Sequence, residues 1–118
     1  MTRTRQITQL QSSGYYKITQ TSGGLNSIIM AVSSGTETNN AMYAVMFNTS
    51  NGVMRSVKKA TLVGTRALTL YQKHVNGDVY EIVIALDTYE RLEIYGSTYL
   101  TQVTKVDSIS GYTQITFS

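Results

Sequence analysis

The residue types that could carry chemistry in this chain are one histidine, seven carboxylates and nine tyrosines. His74 is the sole histidine, so a Ser-His-Asp arrangement would have to use it as the base. It lies two residues before a predicted Asn76-Gly77 turn, where side chains are usually solvated. A zinc ion needs several imidazole or thiolate ligands, and a chain without cysteine supplies them only if symmetry brings three copies of His74 together. We therefore predict no catalytic residue and no metal site within one chain.

The carboxylates are scattered along the chain. Glycoside hydrolysis needs two carboxyl groups that face each other across a cleft. Glu90 and Glu93 are three residues apart in one predicted strand, so they are expected on opposite faces. Gly23-Gly24 and Gly35 lack the spacing and the lysine of a phosphate-binding loop. The carboxylates are predicted to be surface charges that keep sheet edges soluble, and the chain is predicted not to be an enzyme and to use no cofactor.

Tyrosines are the remaining candidates for a binding site. Tyr89, Tyr95 and Tyr99 lie in or beside one predicted strand, residues 89–95, whose alternation places Tyr89, Arg91 and Tyr95 on one face. An aromatic ring beside hydrogen-bonding groups can stack on the apolar face of a sugar. The four candidate binding residues are therefore Tyr89, Arg91, Tyr95 and Tyr99. Packing of these rings between strands or between subunits is the alternative.

Composition narrows the classes of partner. The chain has 118 residues, of which 14% are charged, and its ten basic residues are dispersed despite a net charge of +3. A nucleic-acid-binding protein concentrates its basic residues on one face, so nucleic acid is not expected as a partner. There is no apolar run of about 18 residues and no signal-peptide pattern, so insertion in a membrane is not expected either. The chain has no cysteine, which excludes disulfides, and no proline, so its sheet edges need another protection, for which assembly is one candidate.

Alternating apolar residues and turn residues predict about ten short strands. Residues 66–94 form two strands around Asn76-Gly77, the pair that best tolerates a type I′ turn. Residues 41–48 are compatible with a helix or a strand, and a strand is preferred because Asn51-Gly52 and a possible hairpin partner follow. Residues 27–33 are continuously apolar, as expected for a strand covered on both faces. The predicted fold is an all-β, antiparallel, jelly-roll-like sandwich.

The predicted 66–94 hairpin has a defined register. With Asn76 and Gly77 as the turn, Tyr71 faces Ile82 and Leu70 faces Val83. One face then holds Leu68, Leu70, Val83 and Ala85, and the other holds Tyr71, Tyr80, Ile82, Ile84 and Leu86. Both faces are apolar, so the second one is expected to be covered by the rest of the chain or by a neighbouring subunit.

The order of these segments resembles the C-terminal domains of bacteriophage and prophage tail fibres. Gly14-Tyr15-Tyr16-Lys17-Ile18 resembles the opening motif of these domains, although the family more often has Trp at position 15 and Arg at position 17. The further similar segments are an apolar strand (28–32), an aromatic strand (42–47), a hairpin (68–70, Asn76-Gly77 and 79–82) and a last strand (92–95). The resemblance covers residue 14 to the C-terminus.

The resemblance implies a small β-sandwich, residues 14–118, that trimerises about the fibre axis. Residues 1–13 are then an N-terminal strand or the connection to a preceding shaft. It also implies a place at the tip of the fibre on the virion, where the domain touches a bacterial surface polysaccharide or outer-membrane protein. No contact motif is shared by the family, so the four candidate residues rest on their own chemistry. The alternative is a structural virion component, such as a collar, decoration or fibre-joining domain, without a surface ligand.

Overall fold

The computed structural model of the chain describes residues 5–9, 13–34, 40–95 and 100–118, and these residues form strands and connections without a helix. No helix in these ranges could cross a membrane. The strands are β1 (Arg5–Gln9), β2 (Gly14–Gln20), β3 (Gly24–Ser33), β4 (Ala41–Ser50), β5 (Val53–Gly64), β6 (Leu70–Asn76), β7 (Val79–Leu86), β8 (Arg91–Tyr95), β9 (Leu100–Val106) and β10 (Thr113–Gln114).

The strands form two five-stranded antiparallel sheets that pack together, which confirms the predicted β-sandwich. The first sheet has the order β1-β8-β3-β4-β5, and the second has the order β10-β6-β7-β2-β9. The chain moves repeatedly from one sheet to the other, so sequence neighbours such as β7 and β8 lie in different sheets. The trimeric state stays a prediction.

The core lies between the two sheets and is built from alternate residues of each strand. In β4, Ala41, Tyr43, Val45 and Phe47 are buried, which confirms a strand rather than a helix over this segment. In β2, Tyr16 and Ile18 are buried, as the predicted alternation requires. Fully burying one such aliphatic or aromatic side chain contributes roughly 1.5–3 kcal/mol. The core fixes which face of every strand points outward.

The prediction that β3 is covered on both faces is wrong for a single copy of the chain. Ile28, Met30 and Val32 are buried in the core, whereas Ile29 is 40% exposed on the other face. Leu25, further along the same strand, is 63% exposed. A continuous apolar run means only that both faces of the strand are apolar. Here the described part of the chain does not cover the outer face at Ile29 and Leu25.

The predicted register of the β6–β7 hairpin is wrong by one residue. Asn76 pairs with Val79, so the turn residues are Gly77 and Asp78, and a register shift follows between His74 and Asn76. The extra residue of this bulge places Tyr71 opposite Val83 and moves every earlier residue of β6 by one position. Because side chains alternate with period two, this slip exchanges the faces. The core face holds Leu68, Leu70, Tyr80, Ile82, Ile84 and Leu86, and the outer face holds Tyr71, Val83 and Ala85.

A buried ion pair stands where a surface charge was predicted. The side chain of Glu90 is 0% exposed. Arg66 donates to both of its oxygens, from Nε at 2.6 Å and from Nη2 at 2.8 Å, and also donates to the carbonyls of Ala67 and Ala85. Burial alone would lower the pKa of Arg66, but the hydrogen bonds and the charge of Glu90 outweigh it and raise this pKa above its ordinary value. Glu90 therefore anchors the connection that leads into β8.

Hydrogen bonds between two turns join the sheets at one end of the sandwich. The Asp78 carboxylate accepts from the Gly52 N–H at 2.7 Å, and the Tyr80 hydroxyl donates to the Gly52 carbonyl at 3.0 Å. The Thr21 hydroxyl donates to the Asp78 carbonyl at 2.8 Å and accepts from the Tyr80 N–H at 3.0 Å. These contacts connect the β4–β5 turn of the first sheet to the β6–β7 turn of the second.

The C-terminal segment connects the sheets along one side. The N–H of Ile115 donates to the Leu70 carbonyl and that of Ser118 donates to the Val57 carbonyl, both at 2.8 Å. Ile115 is buried, and Phe117 packs against the core. Only Thr113–Gln114 of this segment form a strand, β10. The remaining residues of this segment run from β6 to β5.

Candidate functional site

The structure separates the residues predicted to bind a ligand. Arg91 and Tyr95 lie on the outer face of β8, as the alternation predicts, because Leu92 and Ile94 are fully buried. The Tyr95 hydroxyl donates a hydrogen bond to the Glu93 carboxylate. Tyr99 lies outside the described residues.

Tyr89 does not share the strand face of Arg91 and Tyr95, so that part of the prediction is wrong. Tyr89 lies in the turn between β7 and β8 with a φ of 66°, and its side chain is 69% exposed. The physical reason is the turn at residues 87–90, in which the Glu90 N–H donates to the Asp87 carbonyl at 3.3 Å, so β8 begins only at Arg91. The ring of Tyr89 is therefore available at one end of the sandwich.

The outer face of the first sheet is apolar. We call it the aliphatic face, and its residues on the adjacent strands β3 and β4 are Ile29, Ala31, Met42, Ala44 and Met46. Ile29 is 40% and Met46 is 42% exposed, and the other three are half-buried. Arg91, Glu93 and Tyr95 border this face, since β8 pairs with β3 along Ser33 to Ile29. This face is therefore a candidate surface for contact with another molecule.

The outer face of the second sheet is chemically different. We call it the tyrosine face, and its residues are Tyr15 and Lys17 on β2, Tyr71 and Lys73 on β6, Glu81 and Val83 on β7, and Tyr112 beside β10. The rings of Tyr15 and Tyr71 lie with centroids 5.6 Å apart and planes at 86°. Val83 pairs with both Lys17 and Tyr71 and is 0% exposed, so it is buried beneath these outer side chains. The chain thus covers this face with its own aromatic residues.

Charges on the tyrosine face form a short network. Lys17 Nζ lies 3.1 Å from Glu81 Oε2, and the Tyr112 hydroxyl donates to Glu81 Oε1 at 3.0 Å. Burial would raise the pKa of Glu81, but the hydrogen bonds from Lys17 and Tyr112 and the charges of Lys17 and Lys73 hold it below its ordinary value. Burial, together with the bond to Glu81 and its charge, raises the pKa of Tyr112 to about 12. Lys73 Nζ lies 5.5 Å from the centre of the Tyr112 ring.

The sequence contained one signal for the tyrosine face. The alternation of β2 places Tyr15 and Lys17 on the face opposite Tyr16 and Ile18. The sequence did not show that Tyr71 shares this face with Tyr15 and Lys17, because the predicted register put Tyr71 on the same face as Ile82 and Ile84. The pairing of Lys17 with Glu81 also depends on the adjacency of β2 and β7, which are 64 residues apart at this ion pair.

His74 contacts two residues of the β6–β7 hairpin. Its Nε2 lies 2.7 Å from the Gly77 carbonyl oxygen, and its ring packs on that of Tyr80 with centroids 4.7 Å apart. Within the part of the chain that the structure describes, no group of three or more histidine or carboxylate side chains could hold a metal ion.

Comparisons with known proteins add little to the description of these faces. No protein-family model matches the chain, and no curated protein matches it. Among solved structures, the chain is similar to part of the tailspike protein gp49 from Acinetobacter baumannii bacteriophage Fri1, a capsular polysaccharide depolymerase. The TM-score is 0.44 at 11% identity, over 88% of this chain and 19% of that protein. A similarity of this extent does not define a function.

Proposed function

We propose that the chain is the distal domain of a phage tail fibre, which binds the bacterial host surface during adsorption and has no enzymatic activity. The observation that carries this proposal is the contrast between the two outer faces of the sandwich. The aliphatic face is suited to contact other copies of the chain, and the tyrosine face offers aromatic rings and charges to a polar ligand. A domain that is mounted in a fibre and binds at the same time needs two such surfaces.

The resemblance to tail-fibre domains supports the same proposal. Its opening motif forms β2, an interior strand of the second sheet between β7 and β9. Tyr16 and Ile18 of the motif contribute to the core, while Tyr15 and Lys17 contribute to the tyrosine face. The motif therefore contributes side chains both to the core and to the proposed binding surface.

Three copies of the chain are proposed to pack through their aliphatic faces about the fibre axis. Exposed Ile29 and Met46 would be removed from water in this assembly, and burial of such side chains is favourable by roughly 25 cal/mol per Å² of apolar area. Exposed Arg91 stands at the border of this face, where it can contact a neighbouring copy. Arg91 and Tyr95 would then serve the interface between subunits, and exposed Tyr89 keeps its proposed role as a ligand contact.

Three of the six described carboxylates are held in structural contacts, which favours binding over hydrolysis. Glu81 is held by Lys17 and Tyr112, and Glu90 is buried against Arg66. Asp78 accepts the Gly52 N–H that joins two turns. Each of these groups is committed to a structural contact rather than placed across a cleft from a second acid.

Sedimentation of the purified chain at micromolar concentration tests the assembly. We expect a trimer for the natural sequence and a folded monomer for Ile29→Lys, which places a charge in the centre of the aliphatic face. Val75→Lys is the matched control, because Val75 is 49% exposed on the hairpin of the second sheet. A natural chain that sediments only as a monomer contradicts the proposed trimer.

Adsorption to whole cells tests the function. A fluorescent form of the chain is mixed with a panel of bacterial strains, and bound fluorescence is measured for the natural chain and for Ile29→Lys. We expect some strains to be labelled, and the monomeric variant to lose much of this binding, since linked sites raise avidity by roughly 10²–10⁴. A trimer that labels no strain supports the structural virion component instead.

A further inference from the structure

Lys73 carries a positive charge on the tyrosine face that acts on Glu81 only at longer range, without a direct ion pair among the described residues. Two lysines stand on this face with one carboxylate, and both oxygens of Glu81 are occupied, by Lys17 and by the Tyr112 hydroxyl. Lys73 is exposed, and its Nζ lies over the Tyr112 ring rather than within ion-pair distance of any carboxylate in the described ranges. The face therefore presents one ammonium group that a ligand can neutralise.

Aromatic surface lies directly beside this ammonium. Tyr71 precedes Lys73 by two residues on β6, so both point outward about 6–7 Å apart along the strand. The Tyr15 ring stands at 86° to that of Tyr71, and the two rings form a corner on the surface. Rings and ammonium are thus close enough to contact one sugar residue or two successive ones.

We propose that the tyrosine face binds an acidic polysaccharide that contains uronic acids, an inference that rests on the proposed function and specifies its ligand. The C–H face of a sugar ring packs against Tyr71 and Tyr15, and its carboxylate accepts a hydrogen bond from Lys73. Charge-assisted hydrogen bonds of this kind are about twice as strong as neutral ones. A neutral sugar would use the rings alone and leave the ammonium in water.

Lysine also determines how specific this recognition is. An ammonium is a compact point charge without the planar fork that makes arginine geometrically selective for one acid. The charge therefore favours acidic sugar polymers as a class rather than one particular acid. Glu81 contributes by holding Lys17 and Tyr112 in place beneath the ligand.

Titration calorimetry with defined polymers tests the inference. The probes are polygalacturonate, its fully methyl-esterified form, alginate, and polyglutamate as a polyanion without sugar rings. We expect the natural chain to bind the two uronic polymers, and to bind polygalacturonate at least about tenfold more tightly than its ester, since hydrogen bonds to charged groups contribute about 1.5–3 kcal/mol. This binding should weaken as salt screens the charge.

Three variants assign the binding to this face. Lys73→Gln should weaken polygalacturonate binding about tenfold and leave binding of the ester unchanged. Tyr71→Leu keeps an apolar cover over Val83 and should weaken binding of both forms by about two- to tenfold, the contribution of an aromatic contact. Arg55→Gln is the control, because it removes one exposed positive charge from β5, where Arg55 contacts only Ser50 among described residues. Thermal unfolding of each variant verifies that it is folded.

Four outcomes would each overturn the inference. Neither uronic polymer binds, or polygalacturonate and its methyl ester bind with equal affinity. Alternatively, Lys73→Gln and Arg55→Gln weaken polygalacturonate binding equally, or polyglutamate binds as tightly as polygalacturonate. The cell-adsorption assay separates this failure from failure of the proposed function. A chain that labels bacteria but binds no uronic polymer keeps the function and loses the acidic ligand, whereas a chain that labels no strain loses the function.

Discussion

Replacing Arg66 by Met is expected to destabilise the fold by about 3–5 kcal/mol. The substitution removes both hydrogen bonds to Glu90, whose side chain is 0% exposed, and leaves its carboxylate with the Asp87 N–H at 2.7 Å as its described partner. Breaking a buried ion pair on one side costs about this much because the remaining charge stays out of water. The total stability expected for a chain of this length is roughly 6–18 kcal/mol. The variant should therefore lose a large fraction of it, and its Tm should fall by about 12–20 °C.

Urea denaturation followed by circular dichroism measures this effect. Arg55→Met is the control, since Arg55 is exposed on β5 and hydrogen-bonds Ser50, and its replacement should change the unfolding free energy by less than about 0.5 kcal/mol. The double variant Arg66→Met with Glu90→Gln removes the buried charge together with its partner, so its loss should be clearly smaller than the sum of the two single losses.

Two results would refute the reasoning. One is a loss of less than about 1 kcal/mol for Arg66→Met, the size of a surface pair. The other is additivity in the double variant, which would mean that Arg66 and Glu90 contribute independently.

Three further substitutions test other contacts of the fold. Gly64→Ala should cost at least about 2 kcal/mol in urea unfolding, because Gly64 has a φ of 84° and an added Cβ would lie 2.0 Å from a backbone oxygen. Asp78→Ala should cost about 1–2 kcal/mol in the same assay, because it removes the acceptor of the Gly52 N–H; a neutral result would contradict the link between the turns. The folded pKa of Glu81 is depressed, so its stabilising contribution is present above about pH 4.5 and is lost as the pH falls through the folded value. Lys17→Met should reduce that acid-dependent loss between about pH 7 and pH 3, and an unchanged pH profile would contradict it.

Local features of the fold could be predicted from the sequence. Alternation identified Tyr16 and Ile18 as core residues, and Asn51-Gly52 correctly marked a turn, with φ of 54° and 76° at its two residues. The same turn correctly decided that residues 41–48 are a strand, although alanine and methionine favour helix. These features depend on residues close together in the chain, and local propensity is sufficient for them.

Other features depend on contacts that no local pattern shows. The bulge before Asn76 could not be seen because Asn76-Gly77 is itself a good turn sequence, and the single extra residue reversed the predicted faces of β6. Exposure of Ile29 depends on whether another molecule covers the sheet, which composition does not encode. Tyr89 was placed on a strand because it alternates with Arg91, but the turn at residues 87–90 gives Tyr89 a positive φ, and β8 begins only at Arg91. For these reasons the candidate binding site proposed from the structure, the tyrosine face, differs from the one predicted from the sequence.

The interleaving of the two sheets has a mechanical consequence. β3, β4 and β5 of the first sheet are consecutive, but β8 of that sheet joins them only after the chain has built β6 and β7 of the second. No continuous piece of the chain therefore contains one whole sheet without strands of the other, and truncation before the end of β8 removes strands from both layers. A force applied along the chain meets both layers at once, so the domain should resist pulling as a single cooperative unit and yield in one step.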